Sequence, residues 1–340
     1  MLPGGVSVSN KRLVTLCTVL TAILFGTTAW SVSVGSMNLP VLEVAATLLG
    51  GGDETDRRLI FSLRLPRILV AAMVGAGLAV AGAIMQGIFR NPLAAPDIIG
   101  INGGASAAAA AFLLFMSGQY SIHLLPVAAF AGAAGAAALI YALAWKNGAS
   151  PFRLILIGIG ISSAASALTT FLLISGDSYR AVQIVSWLTG TVYGKSLEHV
   201  YALIPWVAVL IPLAWGMSRH LDVLALGDAT ATGVGSDVQR TRLVLLMIGV
   251  ALAGACVGIA GGIAFIGLMA PHMARRLAGI RHRAIIPVSA LLGAILLVLA
   301  DLAGRTLFAP QSLPAGIFTA GFGAPFFFYL LLKRSHKTSG

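Results

Sequence analysis

The stretch Leu243–Ala274, with the sequence LVLLMIGVALAGACVGIAGGIAFIGLMAPHMA, decides the fold of this chain. It runs for 32 residues without a Lys, Arg, Asp or Glu, and it lies between Arg242 and Arg275. A helix crosses the hydrocarbon core of a bilayer with about 20 apolar residues. The stretch is therefore long for one span and short for two, so the surrounding charges must decide how often it crosses.

The composition of the whole chain excludes a water-soluble globule. Of its 340 residues, 58% are hydrophobic and only 10% are charged, whereas roughly 25% are charged in soluble domains. Small residues recur four apart at Gly254, Gly258 and Gly262, which predicts closely packed helices. The two cysteines, Cys17 and Cys256, lie in uncharged apolar stretches, so we expect them to pack as small hydrophobes rather than form a disulfide.

Eight further spans are predicted where charges or Pro and Gly clusters bound a long apolar run. The first follows Lys11 and Arg12 and could instead be a secretory signal, but it is longer than a signal core and many spans follow it. The eight runs are Leu13–Val34, Ile68–Phe89, Ile98–Met116, Leu124–Trp145, Leu154–Ser175, Val200–Met217, Ala284–Ala300 and Leu313–Leu332.

The distribution of charge between alternate loops completes the topology. One side holds 15 of the 22 Lys and Arg residues, and its net charge is +11, while the other side is neutral. The positive side is predicted to be cytoplasmic. Because Arg242 and Arg275 both lie on that side, the 32-residue stretch crosses twice, turning near Gly258–Gly262. The prediction is an all-α polytopic protein of the cytoplasmic (inner) membrane, with residues 1–340 as one domain, ten spans and both termini inside.

Gly190–Ser196, with the sequence GTVYGKS, is similar to a phosphate-binding P-loop but is one residue short. The pattern needs a glycine at the position of Thr189, and the charge map places the segment outside the cell. We predict a turn after a short helix, Ala181–Thr189, and no hydrolysis of ATP by this chain. The histidines show no metal-ligand spacing, so no metal site is predicted.

Only one acidic residue, Asp301, touches a predicted span, and the simplest partner for it is Arg305, four residues later. A proton-driven transporter needs an ionisable group within the membrane. The sequence therefore disfavours a self-powered pump, and the spans contain no set of catalytic side chains.

Two polar groups of residues remain. On the outside, Arg64, Arg67 and Arg305 lie at the ends of spans, where they could bind lipid phosphates or a partner. On the inside, the connection from Arg219 to Arg242 contains a predicted short helix that ends at Gly233 and lies on the membrane surface. It is either a contact for a cytoplasmic partner or an idle loop.

Several motifs resemble the FecCD-type permeases, the membrane subunits of (type II) ABC importers for ferric siderophores, haem and vitamin B12. The resemblance covers essentially the whole chain. Its motifs are RLPR at 64–67, GAIMQ at 82–86, RNPLAAPD at 90–97, FIGLMAPH at 265–272, ADL at 300–302 and LPAG at 313–316.

The resemblance implies ten spans and a transport subunit that is not itself an enzyme. The implied partners are a second permease, identical or homologous, two cytoplasmic ATPases that use ATP and Mg, and an external substrate-binding protein. No cofactor is expected on this chain. The expected cargo is a ferric siderophore, with haem or a cobamide as the alternative, and a self-contained channel or secondary transporter is the alternative from another class. Residues 144–148 and 152–155 resemble permeases for catecholate siderophores, in which two different permeases may pair.

Site residues are carried over by matching motif. Arg64, Arg67 and Arg305 resemble the arginines that receive acidic residues of the binding protein. The stretch from Leu226 to Gly235 resembles the coupling helices that rest in a groove of the ATPase. Its residues are Leu226, Gly227, Asp228, Ala229, Ala231, Gly233 and Gly235.

Two roles are expected within this coupling stretch. Asp228 favours the helix dipole and could meet a basic group on the partner, and Gly233 is expected to end the helix in a left-handed conformation. No gate residues are carried over, because Pro151 and Phe152 replace the small hydroxylated residues of relatives.

Overall fold

The computed structural model describes residues 9–35, 37, 39–96, 100–116, 119–146, 148–309 and 311–335, and regular structure within them is helical. Asp97, Ile98 and Asn147, which belong to predicted features, lie outside these residues. A π-helical turn, Leu59–Arg64, joins α3 to α4, and a 3-10 turn, Ile122–Leu124, precedes α6. The α-helices are α1 (Asn10–Ser33), α2 (Val41–Leu48), α3 (Glu54–Arg58), α4 (Leu65–Ile88), α5 (Ile101–Phe115), α6 (Leu125–Ala144), α7 (Pro151–Ser175), α8 (Ser178–Leu188), α9 (Leu197–Gly216), α10 (Ser218–Ala225), α11 (Asp228–Gly233), α12 (Val238–Ala260), α13 (Ile266–Ala278), α14 (His282–Thr306) and α15 (Ala315–Ser335).

The all-α membrane fold predicted from the sequence is confirmed. Within the described part of the chain, seven helical segments are long and apolar enough to cross a membrane, and they contain α1, α4, α6, α7, α9, α12 and α14. Two more apolar segments are shorter, namely α5 and the Ala315–Leu330 part of α15. Each lies at a predicted span, whereas the number of ten crossings and the side on which the termini lie stay predictions.

The stretch from Leu243 to Ala274 forms two helices, as its flanking charges indicate. Helix α12 ends at Ala260, Gly261 adopts a φ of +75°, and α13 begins at Ile266. The turn therefore lies slightly later than Gly258–Gly262. Helix α13 has 13 residues, and its length of about 20 Å is less than a bilayer core. Five non-helical residues, 261–265, connect the end of α12 to the start of α13. Gly261 and Ile263 in that segment are buried and the other three residues are partly buried, which agrees with the need to keep non-helical backbone away from lipid.

Three helices, α4, α12 and α14, form the buried centre, and most of each lies inside the protein. Glycines let these helices approach until their backbones touch. A Cβ on Gly75 would collide with the carbonyl oxygen of Gly293, and a Cβ on Gly293 would collide with that of Gly75. Gly254 and Gly258 of α12 likewise lie against α6. The small-residue spacing therefore marks packing contacts, as predicted.

The two cysteines are both free thiols. Cys256 is fully buried where α12 packs against Gly77 of α4. It fills space as a small hydrophobe, as its apolar surroundings predict.

Replacing Gly75 with Ala should lower stability by about 1–3 kcal/mol, because the added methyl group must push α4 and α14 apart. Gly135→Ala on α6 is the matched control, since no atom lies within 4 Å of the added Cβ. Thermal unfolding of both variants in the same detergent measures the difference. Equal melting temperatures would contradict a backbone contact at Gly75.

Candidate functional site

Charged residues that the charge map assigns to the same side of the membrane lie close to one another in the structure. We call the end that contains Arg64, Arg67 and Arg305 the outer end, and these three residues line one cavity there. We call the end that contains Asp228 and Arg242 the inner end, and these two residues form an ion pair. The two groups of residues singled out from the sequence therefore lie at opposite ends of the molecule.

At the outer end, Asp301 is buried, with 1% of its surface exposed, and its main partner is Arg67 of α4. Arg67 Nη2 lies 2.7 Å from Asp301 Oδ1, and Arg67 Nε donates to both carboxylate oxygens at 2.9 and 3.0 Å. The nearest nitrogen of Arg305, Nε, is 3.9 Å from Oδ2. The expectation that Asp301 simply pairs with Arg305 along its own helix is thus incomplete, since the stronger contact joins two helices.

The other two arginines hold the C-terminal end of α1. Arg64 is 5% exposed and donates from Nη1 to the carbonyl oxygens of Val32 at 2.5 Å and Ser33 at 3.3 Å. Arg305 Nη2 donates to the carbonyl oxygen of Ser31 and, at 2.5 Å, to its hydroxyl oxygen. The last carbonyl groups of a helix lack partners within the helix. Arg64 and Arg305 therefore satisfy these carbonyl groups, which accounts for their place at span ends without lipid phosphates.

The outer end contains a cavity of about 880 Å³. The arginines form one wall, and the loop after α8 contributes Tyr193 and Lys195. The guanidinium of Arg67 stacks over Tyr193, 5.3 Å from the ring centroid.

Lys195 lies in the segment that is similar to a P-loop. The segment is a loop after α8, as predicted, although the helix spans Ser178–Leu188 rather than Ala181–Thr189. Its chain folds against α12, with Thr191 N–H donating to Ala260 O at 2.7 Å. Partial burial lowers the pKa of the Lys195 amine, because desolvation disfavours the charged form.

At the inner end, the connection between α9 and α12 forms two short helices, α10 and α11. Leu226 and Val234 flank α11 with 64% and 65% of their surface exposed. Ala229 is also exposed, whereas Ala231 is buried within the chain. Of the two alanines, only Ala229 faces outward.

The C-terminus of α11 differs in detail from the prediction. The helix ends at Gly233, as expected, but Gly233 does not adopt the left-handed conformation. Gly235 does, with a φ of +82°, and the amide of Ser236 donates to Ala231 O while that of Gly235 donates to Thr232 O. This bond pattern is a Schellman motif. The residue that needs to be glycine there is therefore Gly235.

Asp228 is bound by two arginines of its own chain and stays partly exposed. Both of its carboxylate oxygens accept from Arg242 Nη2 at 2.8 Å, and Arg90 Nη2 lies 3.3 Å from Oδ1. Arg242 is 1% exposed and also donates from Nη1 to Ala149 O at 2.5 Å. One arginine thus connects α11, α12 and the loop that precedes α7.

Two inner contacts went unnoticed in the sequence. Arg242 was read only as a loop charge, and His282 only as a histidine without ligand spacing. In the structure, Asp222 Oδ1 lies 2.7 Å from His282 Nδ1 and accepts from the His282 amide at 2.9 Å, which joins α10 to α14. The available signal was an excess of acids between α9 and α12, where Asp222, Asp228 and Asp237 outnumber Arg219, so that cationic partners from other parts of the chain are expected.

Replacing Asp301 with Ala should cost about 3–5 kcal/mol, because Arg67 would keep its charge in a buried place without its counter-ion. Glu54→Ala is the matched control, since it also removes an acid paired with an arginine, but there both side chains are more than three-quarters exposed. Chemical denaturation in detergent, monitored for both variants, gives the comparison. A loss for Asp301→Ala no larger than that for Glu54→Ala would contradict the buried pair.

Known proteins resemble this chain over nearly its full length. The model of the FecCD transport family matches residues 20–333. The Probable siderophore transport system permease protein YfhA of Bacillus subtilis (strain 168) is 46% identical, with 98% of each chain covered. The iron(3+)-hydroxamate import system permease protein FhuG of the same organism is 42% identical, with 90% of this chain and 93% of FhuG covered.

A solved structure of a metal-chelate type ABC transporter in an inward-facing conformation superposes with a TM-score of 0.85 at 31% identity. The superposition covers 94% of this chain and 99% of the other. The span pattern, the motifs and these matches agree, and the chain belongs to the FecCD transport family, as a multi-pass membrane permease that does not itself act as an enzyme.

Proposed function

We propose that this chain is one of two permease subunits in an ATP-driven importer that moves a ferric siderophore across the cytoplasmic membrane. Its partners are a second permease, two cytoplasmic ATPases that hydrolyse ATP with Mg, and an external binding protein. The proposal rests on the difference between the two ends of the molecule. The outer end has a basic cavity, and the inner end has exposed apolar residues at and beside a short helix.

The inner end supports a protein partner because of its chemistry. Ala229 is exposed on α11, and Leu226 and Val234 are exposed on either side of it, within a polar connection. Apolar side chains grouped on a polar surface mark a protein interaction site. This group fits a groove on a cytoplasmic ATPase and makes the idle-loop alternative unfavourable.

Arg242 connects the proposed ATPase contact at α11 to two of the apolar helices, α12 and α7. A displacement of α11 moves Asp228, whose hydrogen bonds to Arg242 transmit the displacement to the start of α12. The bond from Arg242 to Ala149 O transmits it to the start of α7 as well. Both bonds to Asp228 come from Arg242 Nη2, and charge-assisted bonds of this kind are roughly twice as strong as neutral ones. In this proposal, ATP-driven closure of the ATPases therefore moves α7 and α12 together.

The pathway is proposed to lie between two permeases rather than within one. Within the described part of the chain, α4 and α14 touch through Gly75 and Gly293, and α5 and α6 touch through Gly104 and Gly132. Contacts this close make a path for a large complex through the bundle unfavourable. Helix α7 is mostly exposed, which leaves it available to a second copy or a homologous permease.

The cargo is proposed from the relatives, one named for siderophores and one for iron(3+)-hydroxamate. Haem or a cobamide stays the alternative within the same machinery. The similarity of residues 144–148 to catecholate permeases stays a prediction, and Asn147 within it lies outside the described residues. Cargo choice is expected to reside mainly in the binding protein.

Uptake of radioactive ferric siderophore into proteoliposomes should require every subunit. With both permeases, the ATPases, the binding protein and internal ATP, uptake is expected to proceed, and without the ATPases it should fall to background. Uptake that continues without the ATPases would favour a self-contained channel or secondary transporter. Swapping the binding protein should change which iron chelate, haem or cobamide is taken up.

Ala229→Trp should weaken ATPase docking, since a bulky side chain on the exposed face of α11 cannot enter a groove shaped for alanine. We expect an affinity loss of about tenfold or more, equivalent to about 1.4 kcal/mol, and loss of uptake. Ala142→Trp is the matched control, because Ala142 is equally exposed but lies on α6, outside the coupling helices. Normal ATPase binding and normal uptake by Ala229→Trp would contradict the proposed contact and would indicate that the loop has no role in coupling.

A further inference from the structure

A groove on the surface of the protein lies between α1 and the inner ends of α9 and α14. Its volume is about 800 Å³. One wall is a face of α1 from Leu13 to Phe25, and Trp215 and Pro287 lie on the opposite side. The groove shares no lining residue with the cavity at the outer end or with the coupling stretch. It is therefore a separate feature that the proposed function does not use.

The groove has the length and the surface that a lipid chain requires. Residues 13 to 25 of α1 cover about 18 Å, because an α-helix rises about 1.5 Å per residue. Half of the hydrocarbon core of a bilayer is about 15 Å thick. The lining is mostly apolar, and the Thr18 hydroxyl donates to Val14 O of its own helix at 3.0 Å, so it needs no polar partner. A hydrocarbon chain can thus follow the groove from the inner surface to the middle of the bilayer.

The inner end of the groove carries an arginine that lies against a tryptophan. The guanidinium of Arg283 lies over the ring of Trp215, 5.9 Å from the centroid, and Trp215 Nε1 donates to Arg283 O at 2.9 Å. Tryptophan is enriched at the level of the lipid headgroups. The Trp215 ring therefore marks that level, and it positions the charge of Arg283 beside it.

Lys11 supplies a second positive charge at the same end. It precedes Val14 by three residues, a spacing that places both side chains on one face of α1. Lys11 and Arg283 are exposed, and within the residues that the structure describes neither pairs with an acid. Asp222 reaches the inner end of α14, but it lies 2.7 Å from the ring of His282. The two cations are therefore available to an external anion.

We propose that this groove binds one anionic phospholipid of the leaflet at the inner end, with an acyl chain along α1 and the phosphate at Lys11 and Arg283. Anionic lipids are enriched in the cytoplasmic leaflet, and basic groups beside a cleft between helices on that side bind their headgroups. The inference does not depend on the proposed function, because it requires only that the chain lies in a membrane.

A lipid suits the groove better than a helix of a second copy does. A helix in the groove would leave Lys11 and Arg283 without a counter-ion unless it carried an acid at the same level. An anionic phospholipid always carries its charge at the headgroup level, with an apolar chain directly below. The charge above the groove and the apolar lining within it therefore match one lipid molecule.

The bound lipid would support the part of α1 that the chain itself leaves exposed. At the outer end, Arg64 and Arg305 bind the last carbonyl groups of this helix. Only 6% of the most apolar 18 residues of α1 are buried within the chain. A lipid between α1, α9 and α14 adds van der Waals contacts along this exposed part. The stability of the protein is therefore expected to depend on the lipid headgroup.

The test titrates the purified, delipidated full-length chain with phosphatidylglycerol or with phosphatidylcholine in a neutral detergent, and native mass spectrometry counts the bound lipids. The wild type should bind one phosphatidylglycerol about tenfold or more tightly than phosphatidylcholine. Lys11→Gln and Arg283→Gln should each weaken phosphatidylglycerol binding about fivefold, equivalent to about 1 kcal/mol. Phosphatidylglycerol should also raise the melting temperature of the wild type, since it binds the folded state.

Two matched controls lie on the opposite face of α1. Arg12→Gln removes an exposed charge from the same turn as Lys11, and its effect should stay below about twofold. Ala22→Trp fills the groove without a change in charge and should prevent lipid binding, whereas Val19→Trp, outside the groove, should not. Melting temperatures in phosphatidylcholine should be equal for all variants and the wild type, which shows that they are folded.

Four results would overturn the proposal. Equal affinity of the wild type for both lipids would exclude recognition of the headgroup charge, and an equal loss in Arg12→Gln and Lys11→Gln would indicate only a general surface field. Competition by glycerol phosphate at the same concentration as the lipid would indicate a site for a free anion. A smaller oligomeric mass of Ala22→Trp, measured without lipid, would assign the groove to a second copy of the chain.

Discussion

The contact between α4 and α14 fixes the geometry of both ends of the molecule, because Gly75 and Gly293 allow the two backbones to touch near the middle of the bundle. At the outer end it brings Arg67 to Asp301, and at the inner end it brings Gly87 against the ring of His282. Helices in lipid gain little from the hydrophobic effect, so tight packing and buried polar contacts must hold them together. Along α4 and α14 both kinds of contact occur on the same pair of helices.

The outer end shows why arginine and lysine are used differently. A guanidinium group offers five donors in a rigid fork, which suits Arg64, Arg67 and Arg305 to binding several oxygens at once. A lysine amine is a compact charge on a flexible stem and accepts a new partner without prior loss of several bonds. The cavity therefore combines fixed charges, which give it shape, with one charge that can adapt.

Much of the fold could be predicted from the sequence because membrane insertion leaves a strong pattern in it. Apolar length and the positions of Arg242 and Arg275 were sufficient to divide one long stretch into two helices. The pairing of Arg67 with Asp301 could not be predicted in the same way, since the two residues are 234 positions apart. Pattern analysis favoured the local partner, Arg305, because it treats a helix as if it were isolated.

The same limit applies at the inner end. The short helix and its last residue were predicted correctly, but the left-handed glycine lies two positions later, at Gly235. Several glycines were available, and the choice among them depends on how Ser236 and Asp237 must lead into α12. Asp228, which could meet a basic group on a partner, is also reached by Arg242 from the following helix. Tertiary contacts decided both details.

The chemistry of the two ends suits two kinds of contact. Charge pairs speed association and set orientation, and they weaken as salt screens them. Such contacts fit a partner that arrives and leaves in each cycle, as the binding protein does in the proposed function. Apolar contacts such as Leu226 and Val234 depend little on salt and favour a lasting complex. In the proposed function the ATPases can then stay bound throughout the cycle, and since Asp228 is already held by Arg242, their movement would reach the spans through a link that does not have to form anew each time.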